Sequence, residues 1–465
     1  MEVPRSAVNG HVAVLPYPGR GHINPMIRLA RRLAARGLLV TVVLTEEWLS
    51  LLSDSFPPPL SAAVRLRTIP DVVPSERGRG ADFASFIQSV LVRMGGPVAA
   101  LLAELDPPPD AIIADSMLPW APLIAHRMGV PVAAFFPQAA NVFLAFQELK
   151  TVAVGRRQLS ELDQTGSDTI HPKRLFEAGN GDGFLDHLPK AASGHLADFI
   201  THSAGEGMLK AFMDGIAWFS TARCLLFNSF EELEHRAFDQ LLRANLSVPF
   251  YPVGPFVPDA AEDEEAATAP CCKWLDSQPK SSVLYVSMSS FLPVSGEEIK
   301  EIAVGLRMSG HRFLWAVRDA TNTVRELIGE KGMAVPWCDQ PRMLRHPSVG
   351  GFLTHCGWNS TLEAIDAGVP MLTFPLMWDQ YPNSKLVVED WKIGLRLGDE
   401  EKDGVGREEV ARAVQRLMDL DAAESKELRR RAMELKKRSH AALREKGSSA
   451  MNLDAFVNHL LGKAD

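Results

Sequence analysis

The residues best suited to chemistry gather in two places. The denser is the stretch from Trp337 to Gln380, WCDQPRMLRHPSVGGFLTHCGWNSTLEAIDAGVPMLTFPLMWDQ. Within it Ser348 to Thr354 is a short apolar run after Pro347, which reads as a buried strand. His355, Cys356 and Gly357 make the turn that follows. A helix is expected from about Asn359 to Ala367, because Asn and Ser are N-cap types, Leu362 and Ile365 recur at helical spacing, and Gly368 with Pro370 ends it. A helix start carries unpaired N–H groups and a partial positive charge, so it seats an anion. At the carboxyl end of a parallel strand, it also lies where open α/β sheets bind ligands. These residue types suit a diphosphate. An ordinary strand-to-helix connection would show the same turn. Its company sets this one apart: Trp337 upstream, Glu363 one helical turn in, and the Asp379-Gln380 pair at the far end. An indole offers a large flat apolar face, and a carboxylate is a natural acceptor for paired hydroxyls.

The second place is the loop YPGRGHINP after the apolar run His11 to Pro16. A lone histidine most often caps or packs, but His22 opens at the ligand-binding edge of a sheet, which favours a functional role. Gly19-Arg20-Gly21-His22 approaches a dinucleotide fingerprint, yet Asn24-Pro25 stands where the third glycine belongs. A hydride-transfer reading loses its main support. Asp115 closes the short strand AIIAD, and a carboxylate there must be paired or hydrated. It is either a partner for another side chain or the N-cap of the next helix.

The elements that must position these groups alternate strand and helix. His11 to Pro16 is a strand, and Pro25 to Arg36 a helix with Ile27, Ala30, Leu33 and Ala34 on one face and four arginines (28, 31, 32 and 36) on the other. Gly37 stops it and LLVTVVLT is the next buried strand, a βαβ unit opening a parallel sheet. Val130 to Phe136 and Cys224 to Phe230 are further strands. Between Ala139 and Trp218 long polar stretches suggest loops shaping a binding mouth, with Phe135, Phe143, Phe184, Phe199 and Trp218 as candidate lining. The proline-rich and then acidic run PFYPVGPFVPDAAEDEEAATAP reads as an interdomain linker. Beyond it the alternation resumes: SVLYVSM as strand, Ser295 to Ser309 as helix, RFLWAV as strand, then the Trp337 stretch. Helices at Glu408 to Met418 and Glu427 to Arg444 follow.

A chain of 465 residues is long for one core, so at least two domains are expected. Its 23% charged and 46% hydrophobic residues are ordinary for a globular protein, and a net charge of −8 argues against nucleic-acid binding. Five cysteines (224, 271, 272, 338 and 356) form no CxxC pair, in keeping with reduced thiols in a cytoplasmic setting. The N-terminus is too polar and too broken by proline for a signal peptide, and no run of 18 apolar residues predicts a membrane span.

The Trp337–Gln380 stretch resembles, without a gap, the donor-binding signature of plant UDP-dependent glycosyltransferases of family 1, and the similarity extends over nearly the whole chain. That resemblance implies an α/β protein of two facing Rossmann-like, doubly wound domains, the glycosyltransferase B fold. Residues 1–248 would bind the acceptor, 249–271 would be the linker, 272–446 would bind the UDP-sugar, and 447–465 would cross back onto the first domain. It implies that Trp337 stacks on uracil and that Gln340 and Glu363 hold the ribose. His355, Asn359 and Ser360 would contact the diphosphate, and Trp358, Asp379 and Gln380 the sugar, with Gly21, Ser290, Cys338 and Gly357 completing the donor contacts. His22 would be the general base and Asp115 the group that fixes its tautomer.

The expected activity is inverting, metal-independent O-glucosyl transfer from UDP-glucose to a small, partly apolar plant metabolite or hormone. No cofactor beyond the donor, no nucleic acid and no membrane are expected, and the protein is expected to be a monomer. Three departures from the family pattern stand out. Ser289 replaces the usual glycine, Cys338-Asp339 replaces Ala-Pro, and Met377-Trp378 replaces Trp-Thr, while Gln380 goes with glucose in relatives. The competing expectations are a catalytically silent nucleotide-sugar-binding protein, a transferase using another UDP-sugar, and a dinucleotide oxidoreductase.

Overall fold

The structure, a computed structural model, describes residues 9–53, 61–76, 83–147, 217–244, 246–258, 270–288, 295–317, 321–398 and 404–462. The chain divides into two compact units, Met1–Phe256 with Ala442–Asp465, and Val257–Ala441.

The first unit is built on seven parallel strands: β1 (His11–Leu15), β2 (Leu39–Thr45), β3 (Val64–Ile69), β4 (Ala111–Asp115), β5 (Val132–Phe136), β6 (Cys224–Phe227) and β7 (Phe250–Pro252). Their order across the sheet is β3-β2-β1-β4-β5-β6-β7. Every residue of β1, β2, β4 and β5 is buried, which is why these strands read as continuous apolar runs instead of alternating ones. The order reverses between β1 and β4, and ligand crevices open at the carboxyl ends of strands at such a reversal. The helix Arg20–Ala34 lays Ile23, Met26, Ile27, Ala30 and Leu33 into the core beside the sheet. Leu453, Phe456 and Leu460 of the helix Ser448–Leu460 enter the same core, each worth about 1.5–3 kcal/mol of burial.

The second unit holds six parallel strands: β8 (Val283–Ser287), β9 (Arg312–Ala316), β10 (Gly332–Val335), β11 (Val349–Thr354), β12 (Met371–Thr373) and β13 (Gly394–Arg396). Their order is β10-β9-β8-β11-β12-β13, so here the reversal falls between β8 and β11. The β8–β11 register shifts between Val349 and Gly351, and a Cβ on Gly350 would collide with the Ser281 carbonyl. Glycine lets the two backbones approach there. The helix Gly296–Met308 opens on a capping box of Ser295 and Glu298.

Two sequence expectations are corrected. The first helix begins at Arg20, not near Pro25: Gly19 is its N-cap, and the amides of His22 and Ile23 both donate to the Gly19 carbonyl. His22 therefore stands in a helical first turn, and the helix runs through Pro25 at the loss of one backbone bond. On its arginine face, Arg28 and Arg32 donate to the Phe256 and Pro255 carbonyls and Arg36 pairs with Asp454. The run 249–271 is not all linker. Phe250–Pro252 pairs with β6, the units divide at Phe256, and a helix already begins at Pro270.

One stretch, Ser85–Ala103, passes the length and composition test for crossing a membrane, although Gln88 and Arg93 interrupt its apolar run. It is made of two helices, Phe83–Arg93 and Gly95–Ala103, and buries Phe86, Val90, Met94, Val98 and Leu102 in the first unit.

Candidate functional site

In the first unit the sheet reversal brings together two residues 93 positions apart. His22 follows β1, Asp115 ends β4, and His22 Nδ1 lies 2.7 Å from Asp115 Oδ2. The Asp115 side chain is fully buried while that of His22 is 23% exposed, so one end of the imidazole is anchored and the other reaches solvent. The second Asp115 oxygen accepts from the Met117 amide at 3.0 Å, which aims the carboxylate. A carboxylate can only accept, so Nδ1 carries a proton, and in the neutral form of the ring Nε2 is the nitrogen with the lone pair. Such an imidazole can take a proton from a hydroxyl, and the buried carboxylate stabilises the imidazolium formed. Tyr17 packs its ring 5.0 Å from that of His22 and narrows its range of orientations. Asp115 is not the N-cap of the next helix: Ala121–Met128 is capped by Trp120.

In the second unit the turn after β11 leads into the helix Trp358–Ala367. Its N-cap is Gly357, not Asn359 or Ser360, and no side chain satisfies the cap. The initial amides are thus not committed to a cap side chain, as an anion seat requires. Cys356 holds φ +65°, a left-handed conformation that turns the chain sharply from strand to helix. Its amide donates to Thr354 Oγ1 at 3.1 Å. His355 donates a ring N–H to the Ser287 carbonyl at the end of β8, and burial drives its pKa down to about 4. It is therefore neutral near pH 7. A Cβ on Gly357 would stand 2.7 Å from His355 Nε2, so only glycine leaves room for that ring.

Around this turn the structure assembles the candidate polar groups. Gln340 Nε2 donates to Ser360 Oγ at 2.9 Å and to Glu363 Oε2 at 2.8 Å, linking the helix Gln340–Arg345 to the helix Trp358–Ala367. Trp337, just past β10, is 54% exposed. An indole that open leaves a flat apolar face available to a planar ring. Gln380 Oε1 accepts from the Leu376 and Met377 amides at 2.9 and 3.2 Å, closing the loop that carries Asp379.

Other candidates are not brought to the site by their side chains. Trp358 is buried, 6.2 Å from Trp391, so it can meet a ligand only through its backbone. The Cys338 thiol turns inward onto the Tyr285 hydroxyl at 3.4 Å, and burial pushes it up to about 12. Gly21 occupies the first helical turn beside His22. Ser290, Phe184 and Phe199 lie outside the described residues. Phe135, Phe143 and Trp218 do not line a mouth. They are buried, Phe143 stacked on Phe219 and Trp218 donating to the Ser116 carbonyl. One residue escaped the sequence reading, Asn383, whose amide bonds both Asp379 and the Cys356 carbonyl. Its spacing of four from Asp379 on a helix was the available signal.

Comparison with known proteins accords with this geometry. The family model for UDP-glucoronosyl and UDP-glucosyl transferase matches residues 228–429. UDP-glycosyltransferase 87A2 of Arabidopsis thaliana is 39% identical over 97% of this chain and 96% of its own. Os79 from O. sativa, solved in complex with UDP, superposes with a TM-score of 0.77 at 29% identity, over 97% of this chain and all of that one. Phytolacca americana UGT2, solved with UDP-2fluoro-glucose and pterostilbene, gives a TM-score of 0.75 at 27% identity, over 97% and 99% of the two chains. Two α/β units on parallel sheets of this kind are the glycosyltransferase B fold, and the chain belongs to the plant UDP-glycosyltransferase family, whose members are glycosyltransferases.

Proposed function

We propose that this transferase is an inverting, UDP-glucose-dependent O-glucosyltransferase of a small, partly apolar plant metabolite. The observation that carries the catalytic reading is the 2.7 Å contact between His22 Nδ1 and the buried Asp115, which leaves Nε2 as a base. Nε2 takes the proton of an acceptor hydroxyl as that oxygen attacks the anomeric carbon from the face opposite UDP. The bond from that carbon to the diphosphate oxygen breaks, UDP leaves, and the configuration inverts.

On the donor side, Trp337 offers its open face to uracil and the Gln340–Glu363 pair accepts and donates to the ribose hydroxyls. The helix start at Gly357, with Asn359, Ser360 and His355, takes the charge of the departing diphosphate. Asp379 and the Gln380 amide nitrogen are assigned to the sugar hydroxyls, Gln380 Oε1 being held by the Leu376 and Met377 amides. The complex of Phytolacca americana UGT2 with UDP-2fluoro-glucose and pterostilbene supports a glucose-type donor and a small-molecule acceptor. All five cysteines are free and buried, which supports a reducing, cytoplasmic setting. The intact dyad favours an enzyme over a silent binding protein.

His22→Ala is the test. Transfer to an unactivated alcohol is expected to fall by roughly 10²–10⁴-fold. Titration with UDP should give an affinity within about twofold of the parent, because His22 is placed on the acceptor. Turnover surviving at a large fraction of the parent rate overturns the base assignment.

A further inference from the structure

Asn383 lies in the helix Gln380–Lys385 and is completely buried. Its amide nitrogen makes two hydrogen bonds of 3.0 Å, one to the Cys356 carbonyl and one to Asp379 Oδ2. Both partners can only accept, so the amide has one orientation and not its flipped alternative. In that orientation Oδ1 is buried with no hydrogen-bond partner among the described residues. The cost of that unpaired buried acceptor offsets part of what the two donated bonds contribute to folding. What asparagine supplies is the pair of donors, and they go to Cys356 and Asp379, which flank the proposed donor site.

One donor holds the carbonyl of Cys356, the residue at φ +65° in the turn that presents His355 and Gly357. The other holds the carboxylate of Asp379, the N-terminal flank of the same helix. The rest of this helix is anchored separately: Ser384 donates to Thr373 Oγ1 at 2.8 Å, and Gln380 closes the preceding loop. Asn383 is thus the link between the phosphate turn and the sugar-facing acid.

We infer that Asn383 is a positioning residue for donor discrimination: it fixes the Asp379 carboxylate against the sugar hydroxyls and ties its position to the diphosphate turn, without itself touching substrate. The inference rests on the assignment of Asp379 to the sugar. A charge-assisted bond to a carboxylate orients both of its oxygens, and hydroxyl epimers differ only in where those oxygens must lie. Loss of the amide removes one bond that orients the carboxylate and lowers the preference between epimers.

The test compares kcat/KM for UDP-glucose and UDP-galactose in the parent, Asn383→Ala, Asp379→Ala and the double variant, with titration of UDP and UDP-glucose in parallel. In Asn383→Ala the ratio of the two kcat/KM values is expected to drop about tenfold, mostly through kcat, with UDP affinity within about threefold. Adding Asn383→Ala to Asp379→Ala should leave the ratio unchanged. Ser384→Ala, one position along and equally buried, should lower the melting temperature and leave the ratio alone.

A merely structural role would reduce both donors in proportion. An unchanged ratio in Asn383→Ala, or a further fall in the double variant, overturns the inference. UDP that does not bind the parent overturns the functional assignment instead. Parent affinities for UDP and UDP-glucose that respond identically to Asp379→Ala remove the sugar contact and the inference with it.

Discussion

Gly357→Ala isolates the contribution of one ring to donor binding. Gly357 has φ −57° and ψ 142°, which alanine adopts without strain, so the backbone should not change. The added methyl instead stands 2.7 Å from His355 Nε2, with Cε1 and Cδ2 at 3.4 and 3.5 Å. Ordinary contact asks for about 3.5 Å, so the ring must give way by roughly 0.8 Å. That displacement stretches its bond to the Ser287 carbonyl, at a net cost of about 1 kcal/mol in stability. It also misplaces the group proposed to meet the diphosphate. A hydrogen bond to a charged group is worth about 1.5–3 kcal/mol, so UDP affinity should fall about tenfold to a hundredfold.

Calorimetric titration of UDP against parent, Gly357→Ala, His355→Ala and the double variant reads this directly, with carbon-bound imidazole proton shifts following the ring. The two changes act through one group, so the double variant should be no weaker than His355→Ala. The free His355 titration midpoint should also rise from about 4 towards the ordinary 6.5 as the ring leaves its buried seat. Unchanged UDP affinity in Gly357→Ala, with His355 still titrating near 4, would refute the reasoning.

Two further outcomes follow from the donor side. Trp337→Ala should leave the melting temperature unchanged, since the indole is 54% exposed, and should weaken UDP by about tenfold. A large loss of stability with unaltered UDP binding would make it a packing residue. Burial lowers the His355 pKa to about 4 and its N–H is already given to Ser287, so the proposed contact with a diphosphate requires the ring to take up a proton. Its pKa in the complex is then higher than in the free protein. UDP affinity is greatest below pH 4 and declines as pH rises towards the bound value. Calorimetry at pH 5.5 in buffers of different ionisation enthalpy should show proton uptake that His355→Gln lacks, and equal uptake by the two proteins would exclude the effect.

The sequence by itself determined a good deal. Buried parallel strands are apolar along their whole length, so β1, β2, β5 and β11 were legible as runs, and Gly368 marked the end of its helix because only glycine takes φ +73° at no cost. The chemistry of His355 to Glu363 was legible because a strand, a turn and a helix start are contiguous in the chain. Boundaries were less so. The Gly19 cap works through its backbone carbonyl, which leaves no side-chain signature, and the helix at Arg20 was set five residues late.

What only the tertiary structure decided is which groups meet across the sheets. His22 and Asp115 touch because β1 and β4 are neighbours where strand order reverses, a fact of topology that no local spacing encodes. Trp358 and Cys338 sit in the signature yet turn inward, because a residue's place on its helix or loop, not its type, decides which way it faces. Asn383 became visible through two bonds to residues 4 and 27 positions away. Local sequence can set the conformation of a segment, but direction and partnership are fixed only when segments pack against one another.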